Sequence, residues 1–101
     1  MTKDIDSLFR PRARVHGNTL LLAPQVALDY LKACRENGVQ VLGFDAFRLL
    51  PGDRIQPIMD DSLDLSAQPF SRYSLVEGHA VAERFIEERI GKEIFFEMVT
   101  G

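Results

Sequence analysis

Twelve residues, Val39-Gln40-Val41-Leu42-Gly43-Phe44-Asp45-Ala46-Phe47-Arg48-Leu49-Leu50, set the terms for the rest of the chain. They form its longest apolar run, and they are bounded by Asn37-Gly38 before and Pro51-Gly52-Asp53 after. Such punctuation marks a strand between two turns. Alternation puts Val41, Gly43, Asp45, Phe47 and Leu49 on one face and Leu42, Phe44, Ala46, Arg48 and Leu50 on the other. Both faces are largely apolar, so helices or a partner are expected to cover both. Gly43 removes a side chain mid-strand, which predicts a bulge or a close approach by another group.

The stretches on either side have helical spacing. Before it, Val26, Ala27, Tyr30, Leu31 and Cys34 recur every three or four residues and form an apolar stripe. Pro24 suits the first helical position, and Gly38 suits the left-handed cap that ends a helix. After it, Ser74-Leu75-Val76-Glu77 is a capping box, in which serine and glutamate each satisfy a backbone N–H at a helix start. Leu75, Val81, Ala82, Phe85, Ile86 and Ile90 supply the apolar face, and Gly91 ends the helix. Lys92–Val99 then reads as a last strand, with Ile94, Phe96 and Met98 on one face and Phe95, Glu97 and Val99 on the other.

The remaining pieces are less regular. Thr19–Ala23 is a short strand candidate. Residues 1–18, with Pro11 and Gly17-Asn18, read as a loose N-terminal segment with a short extended piece near Arg12–Val15. Residues 51–73 are poor in pattern and interrupted by Pro57 and Pro69, with Arg54–Met59 as a further strand candidate. The expected fold is a single α+β domain over residues 1–101, a small sheet of three to four strands with two helices packed on it. The second strand–helix–strand passage is expected to be right-handed if its strands are parallel neighbours.

Composition narrows the class of function. A chain of 101 residues, 46% hydrophobic and 27% charged, can bury one modest core. The first fifty residues carry seven Lys/Arg against five Asp/Glu, and the rest carry five against ten. Nucleic acid is disfavoured as a partner, since phosphate binding needs a concentrated basic surface. The one basic cluster, Arg10, Arg12, Arg14 and His16, reads as a solvated arm. No apolar run is long enough to span a membrane, and no apolar signal core opens the chain. The single cysteine, Cys34, forms no internal disulfide and fits a reducing cytoplasm. It lies on the first helix's buried stripe and reads as a small core residue.

Four acids are the candidate site. Asp45 sits among residues expected to be buried, where a carboxylate costs several kcal/mol (~) unless it is paired. It is either an acid held for a partner or metal, or a strand-end acid satisfied by an arginine or a backbone amide. Asp60, Asp61 and Asp64 cluster after the central strand. They lack EF-hand spacing and read as a docking surface for a basic protein rather than a metal site. His79 falls on the apolar side of the second helix and reads as a packed side chain. No P-loop, G-x-S-x-G or G-x-G-x-x-G occurs, and no cofactor is expected.

The Ala27–Lys32 helix, Asn37-Gly38, the Val39–Asp45 strand, the Ala82–Ile86 helix and the Phe95–Val99 strand together resemble small bacterial immunity proteins of the polymorphic-toxin class. The resemblance covers about two thirds of the chain and rests on packing motifs. It implies a cytoplasmic, non-catalytic protein that neutralises a cognate toxin by binding it. Asp45, Asp60, Asp61 and Asp64 are the expected partner-binding residues. Two alternatives stand beside it. One is a small metal-dependent hydrolase using Asp45 with the loop acids and His79. The other is a homo-oligomeric structural module, for which exposed Phe95 or Phe70 would speak.

Overall fold

The computed structural model describes residues 4–66 and 74–101. Pro69 and Phe70 lie outside the described residues. The elements run α1 (Ile5–Phe9), a 3-10 turn (Arg10–Arg12), β1 (Arg14–His16), β2 (Thr19–Leu21), α2 (Pro24–Glu36), β3 (Val41–Leu50), β4 (Arg54–Asp64), α3 (Leu75–Glu87) and β5 (Phe95–Thr100). The fold is α+β, with a three-stranded sheet ordered β4-β3-β5 and a two-stranded hairpin, β1-β2. All pairings between these strands are antiparallel. β4 and β5 both flank β3, so they run parallel to each other, and α3 lies on the crossover between them. A single bridge joins the two sheets, where Leu22 and Phe96 exchange backbone hydrogen bonds of 2.9 and 2.8 Å.

Both long helices form where their spacing and caps place them. Pro24 opens α2, and Gly38 follows its end at φ +67°. Ser74 and Glu77 make the full reciprocal capping box of α3. α3 stops at Glu87, so Ile90 lies beyond the helix and is half exposed rather than on its apolar face. On one side of the sheet, α2 and α3 enclose a core of Ala27, Tyr30, Leu31, Cys34, Phe44, Ala46, Ala82, Ile86, Ile94 and Phe96. Phe44 centres it, with the inclined rings of Phe96 and Phe85 at 5.1 and 5.4 Å.

From Asp4 onward the N-terminal segment is not loose. Asp4 caps α1 by accepting from the Ser7 N–H and hydroxyl, and Ile5 and Phe9, four residues apart, both enter the core. The Tyr30 hydroxyl donates to Asp6 at 2.6 Å, and Phe9 packs edge-on against the Tyr30 ring. A five-residue helix is too short to stand alone, so these tertiary contacts carry it. Arg12 pairs with Asp29 on α2 at 2.6 Å, which takes one member of the basic cluster into a fold contact.

Residues after the 51–53 turn also differ from expectation. The Arg54–Met59 strand candidate forms, but as the first part of a longer, eleven-residue strand, β4, that runs to Asp64 at the edge of the sheet. Pro57 is tolerated there because an edge strand can dispense with an N–H. The alternation is hidden by a large bulge. Phe44 faces Leu63 and Ala46 faces Ile58, so four residues of β4 stand opposite Asp45 alone. Ser62 mends the ladder from within the bulge: its hydroxyl accepts from the Ala46 N–H and donates to the Ile58 carbonyl, both at 2.9 Å.

Gly43 is the second irregularity, and the sequence anticipates it. Its φ is +151°, and a Cβ there would lie 2.3 Å from the Leu63 carbonyl oxygen. The pairing with β5 shifts register between Val41 and Gly43. Val41 therefore shares the core with Phe44 and Ala46, although simple alternation sets it on the opposite face. Beyond the bulge, Asp45, Phe47, Phe95, Glu97 and Val99 fall on the sheet face away from α2 and α3.

Candidate functional site

The sheet face opposite the helices is where the candidate acids diverge. Asp45 is exposed rather than buried, and it makes no hydrogen bond or ion pair with a described residue. The expectation of a buried acid fails because the face beyond Gly43 carries no described helix. Across the ladder, Asp45 stands opposite Glu97 on β5. Two like charges directly opposed in a sheet disfavour it by a few tenths of a kcal/mol (~).

Asp64 faces the same region from β4, paired in register with Gly43. Its carboxylate accepts from the Ser66 N–H and hydroxyl, closing a turn at the strand's end. Asp45 and Asp64 both line a shallow groove of about 260 Å³ floored by Leu42, Gly43, Phe44 and Leu63 and flanked by Val99 and Ser66. The missing Gly43 side chain lets the Leu63 carbonyl approach the strand here.

Asp60 and Asp61 lie elsewhere, in the β4 bulge. Asp60 is exposed, next to Met59, which is 80% exposed. Asp61 is 6% exposed and is held inside the protein. Arg89 Nε donates to its carboxylate at 2.8 Å, and Lys92 Nζ donates at 3.1 and 3.3 Å. Arg89 also donates to the Phe85 and Asp60 carbonyls and lies 3.5 Å over the Phe85 ring. Burial pushes the Asp61 carboxyl up, but the hydrogen bonds and charges of Lys92 and Arg89 outweigh it and hold the group below the usual carboxylate range. Asp61 is thus a buried clamp between β4 and the turns that follow α3, rather than an exposed acid like Asp60. Spacing alone grouped it with Asp60 and Asp64 because three nearby acids look alike in a sequence. The basic pair that claims Asp61 sits some thirty residues on (~), beyond the reach of local pattern.

His79 does not join Asp45. It is buried on α3, with Nε2 3.3 Å from the Val39 carbonyl, on the helix side of the sheet. Among the described residues, no three His, Cys, Asp or Glu side chains converge as a ligand set. Cys34 is fully buried, and burial together with the Asp6 charge raises its thiol to about 11. It has none of the exposed, electropositive surroundings of a nucleophilic thiol. Of the two aromatics that would speak for self-association if exposed, Phe95 is half-buried and Phe70 lies outside the described residues.

Sequence reasoning missed Glu97, whose place opposite Asp45 depends on the shifted register of β5. A hint was present, since Glu97 shares its face with Phe95 and Val99 in the alternation. No described helix is long and apolar enough to cross a membrane. No family model, curated protein or solved structure matches the chain.

Proposed function

We propose that this chain is a non-catalytic protein-binding module that recognises a basic partner, and that it acts in the manner of a cytoplasmic immunity protein neutralising a cognate bacterial toxin. One observation carries the binding reading. The sheet is packed by helices on one face, while its other face presents Asp45 and Asp64 around the groove at Gly43, flanked by Val99, with Glu97 across the ladder from Asp45. Acids on an uncovered face speed association with a cationic partner and set its orientation more than they add affinity. The toxin class of the partner rests on the resemblance of the helix–glycine–strand units.

The experiment is an affinity capture with the tagged protein from lysate of its own source, followed by kinetics on the purified pair. The expected result is one stoichiometric basic protein whose activity falls on binding. Asp45→Lys with Glu97→Lys should slow association about tenfold and flatten its dependence on salt. Capture of nothing, or an association rate indifferent to both substitutions, overturns the reading.

A further inference from the structure

An apolar hollow lies at the other end of β3, away from the acidic groove. It measures about 420 Å³ and is lined by Ala23, Pro24, Arg48, Leu49, Lys92, Glu93, Ile94 and Phe95. Three chain passages meet there. The β2–α2 junction supplies Ala23 and Pro24, the α3–β5 connection supplies Lys92 to Ile94, and β3 supplies Arg48 and Leu49. Leu22 bridges to Phe96 just before the chain turns into α2, which brings the junction beside the start of β5.

Its floor is apolar, made by Leu49, Phe95, Ile94 and Pro24, and neither Leu49 nor Phe95 belongs to the main core cluster. Two of the three charged side chains on its rim are cations. Arg48 is exposed and makes no ion pair with a described residue. Lys92 shares the Asp61 carboxylate with Arg89, which also pairs with Glu88 at 3.7 Å. Glu93 is the one acid on the rim. The volume falls within the range of small-ligand sites, which pair an apolar lining with a few polar groups that orient the ligand.

We infer that this hollow binds a small amphiphilic organic anion, with an aromatic or branched apolar body on Leu49 and Phe95 and a carboxylate or sulfonate against Arg48. A guanidinium suits that head group because it offers paired donors in a plane. The hollow shares no lining residue with the acidic groove at Gly43, and its fate does not depend on the identity of a protein partner.

The test uses the full chain and 8-anilinonaphthalene-1-sulfonate, an apolar ring system bearing one anionic group. At neutral pH and well below the thermal transition, fluorescence should rise to saturation with one site per chain. Decanoate should displace the dye. Arg48→Glu should weaken binding about tenfold, equivalent to roughly 1.4 kcal/mol, and Leu49→Glu should abolish it. Each variant is accepted only if it melts cooperatively, because this dye also reports loosened cores. Amide shifts on titration should map to Leu49, Phe95 and Lys92. No saturable signal from the folded protein, equal affinity in Arg48→Glu, or shifts that map to the Val99 groove would each overturn the assignment.

Discussion

At the scale of single residues, two side chains and one missing side chain decide most. Asp61 places a carboxylate where only 6% of the residue meets solvent and gives it two cations. Removing one member of a buried pair strands the others, so Asp61→Asn should cost about 3 kcal/mol in urea denaturation. Its carboxyl sits below the usual range in the folded state, so the stabilisation is full above the unfolded value, about pH 4. It is lost as pH falls through the lower folded value. The wild type should therefore lose stability more steeply below about pH 4 than Asp61→Asn does, and acid titration followed by circular dichroism reads the difference. Ser62 is the second side chain, since its hydroxyl spans the gap that the bulge opens in the ladder. Gly43 is the other fixed point. At φ +151°, with a Cβ driven into the Leu63 carbonyl, Gly43→Ala should destabilise by about 3 kcal/mol or more, measured as a fall in Tm.

At the scale of elements, legibility followed the range of the signal. Both long helices were readable because stripe, cap and stop all lie within a few residues of each other: Pro24 to Gly38, and Ser74 to Glu77. The capping box predicts its own test. Ser74→Ala should cost about 1 kcal/mol and raise amide exchange in the first turn of α3 before any other segment. β3 as an element and the faces of β5 were equally plain, although the register shift at Gly43 moves Val41 off the face that alternation gives it. What failed was set by distant partners. α1 has two apolar residues and a cap, too little to announce a helix, and it holds because Tyr30 and the core receive it. The burial of Tyr30, reinforced by its bond to Asp6, pushes the phenol well above its ordinary value. β4 was obscured because a four-residue bulge erases period two, and Ser62 restores the ladder with a hydroxyl that no pattern distinguishes from a loop serine. The site was half legible for the same reason: Asp45 and Asp64 meet at one groove, while Asp61 turns inward to residues far along the chain.

The whole molecule is a sheet with one lined face and one face free of described helices. On the lined side, Cys34 is fully enclosed and its thiol is raised to about 11. Reaction with a disulfide reagent at neutral pH should therefore proceed no faster than opening of the α2–α3 layer. Asp61→Asn, which unfastens the end of α3 from β4, should speed labelling in proportion to its loss of stability, if exchange between open and closed forms is fast. A thiol that reacts at once in the wild type would contradict this packing. Along β3 the surface divides by charge: acids gather at the Gly43 end, and arginine and lysine at the Leu49 end, so that the two ends of one strand offer dissimilar surfaces.

The rung between Leu22 and Phe96 has a bearing on how copies of this chain behave when crowded. By extending the ladder into the hairpin, it takes part of β5 out of the set of exposed strand borders. The longer of the two sheet borders is β4, and there Pro57 lacks the N–H that a docking strand would need while the Met59–Ser62 bulge breaks the straight run of a template. The same bulge that costs the sheet its regularity, and needs Asp61 and Ser62 to hold it, thereby acts as a guard against fibrous self-association.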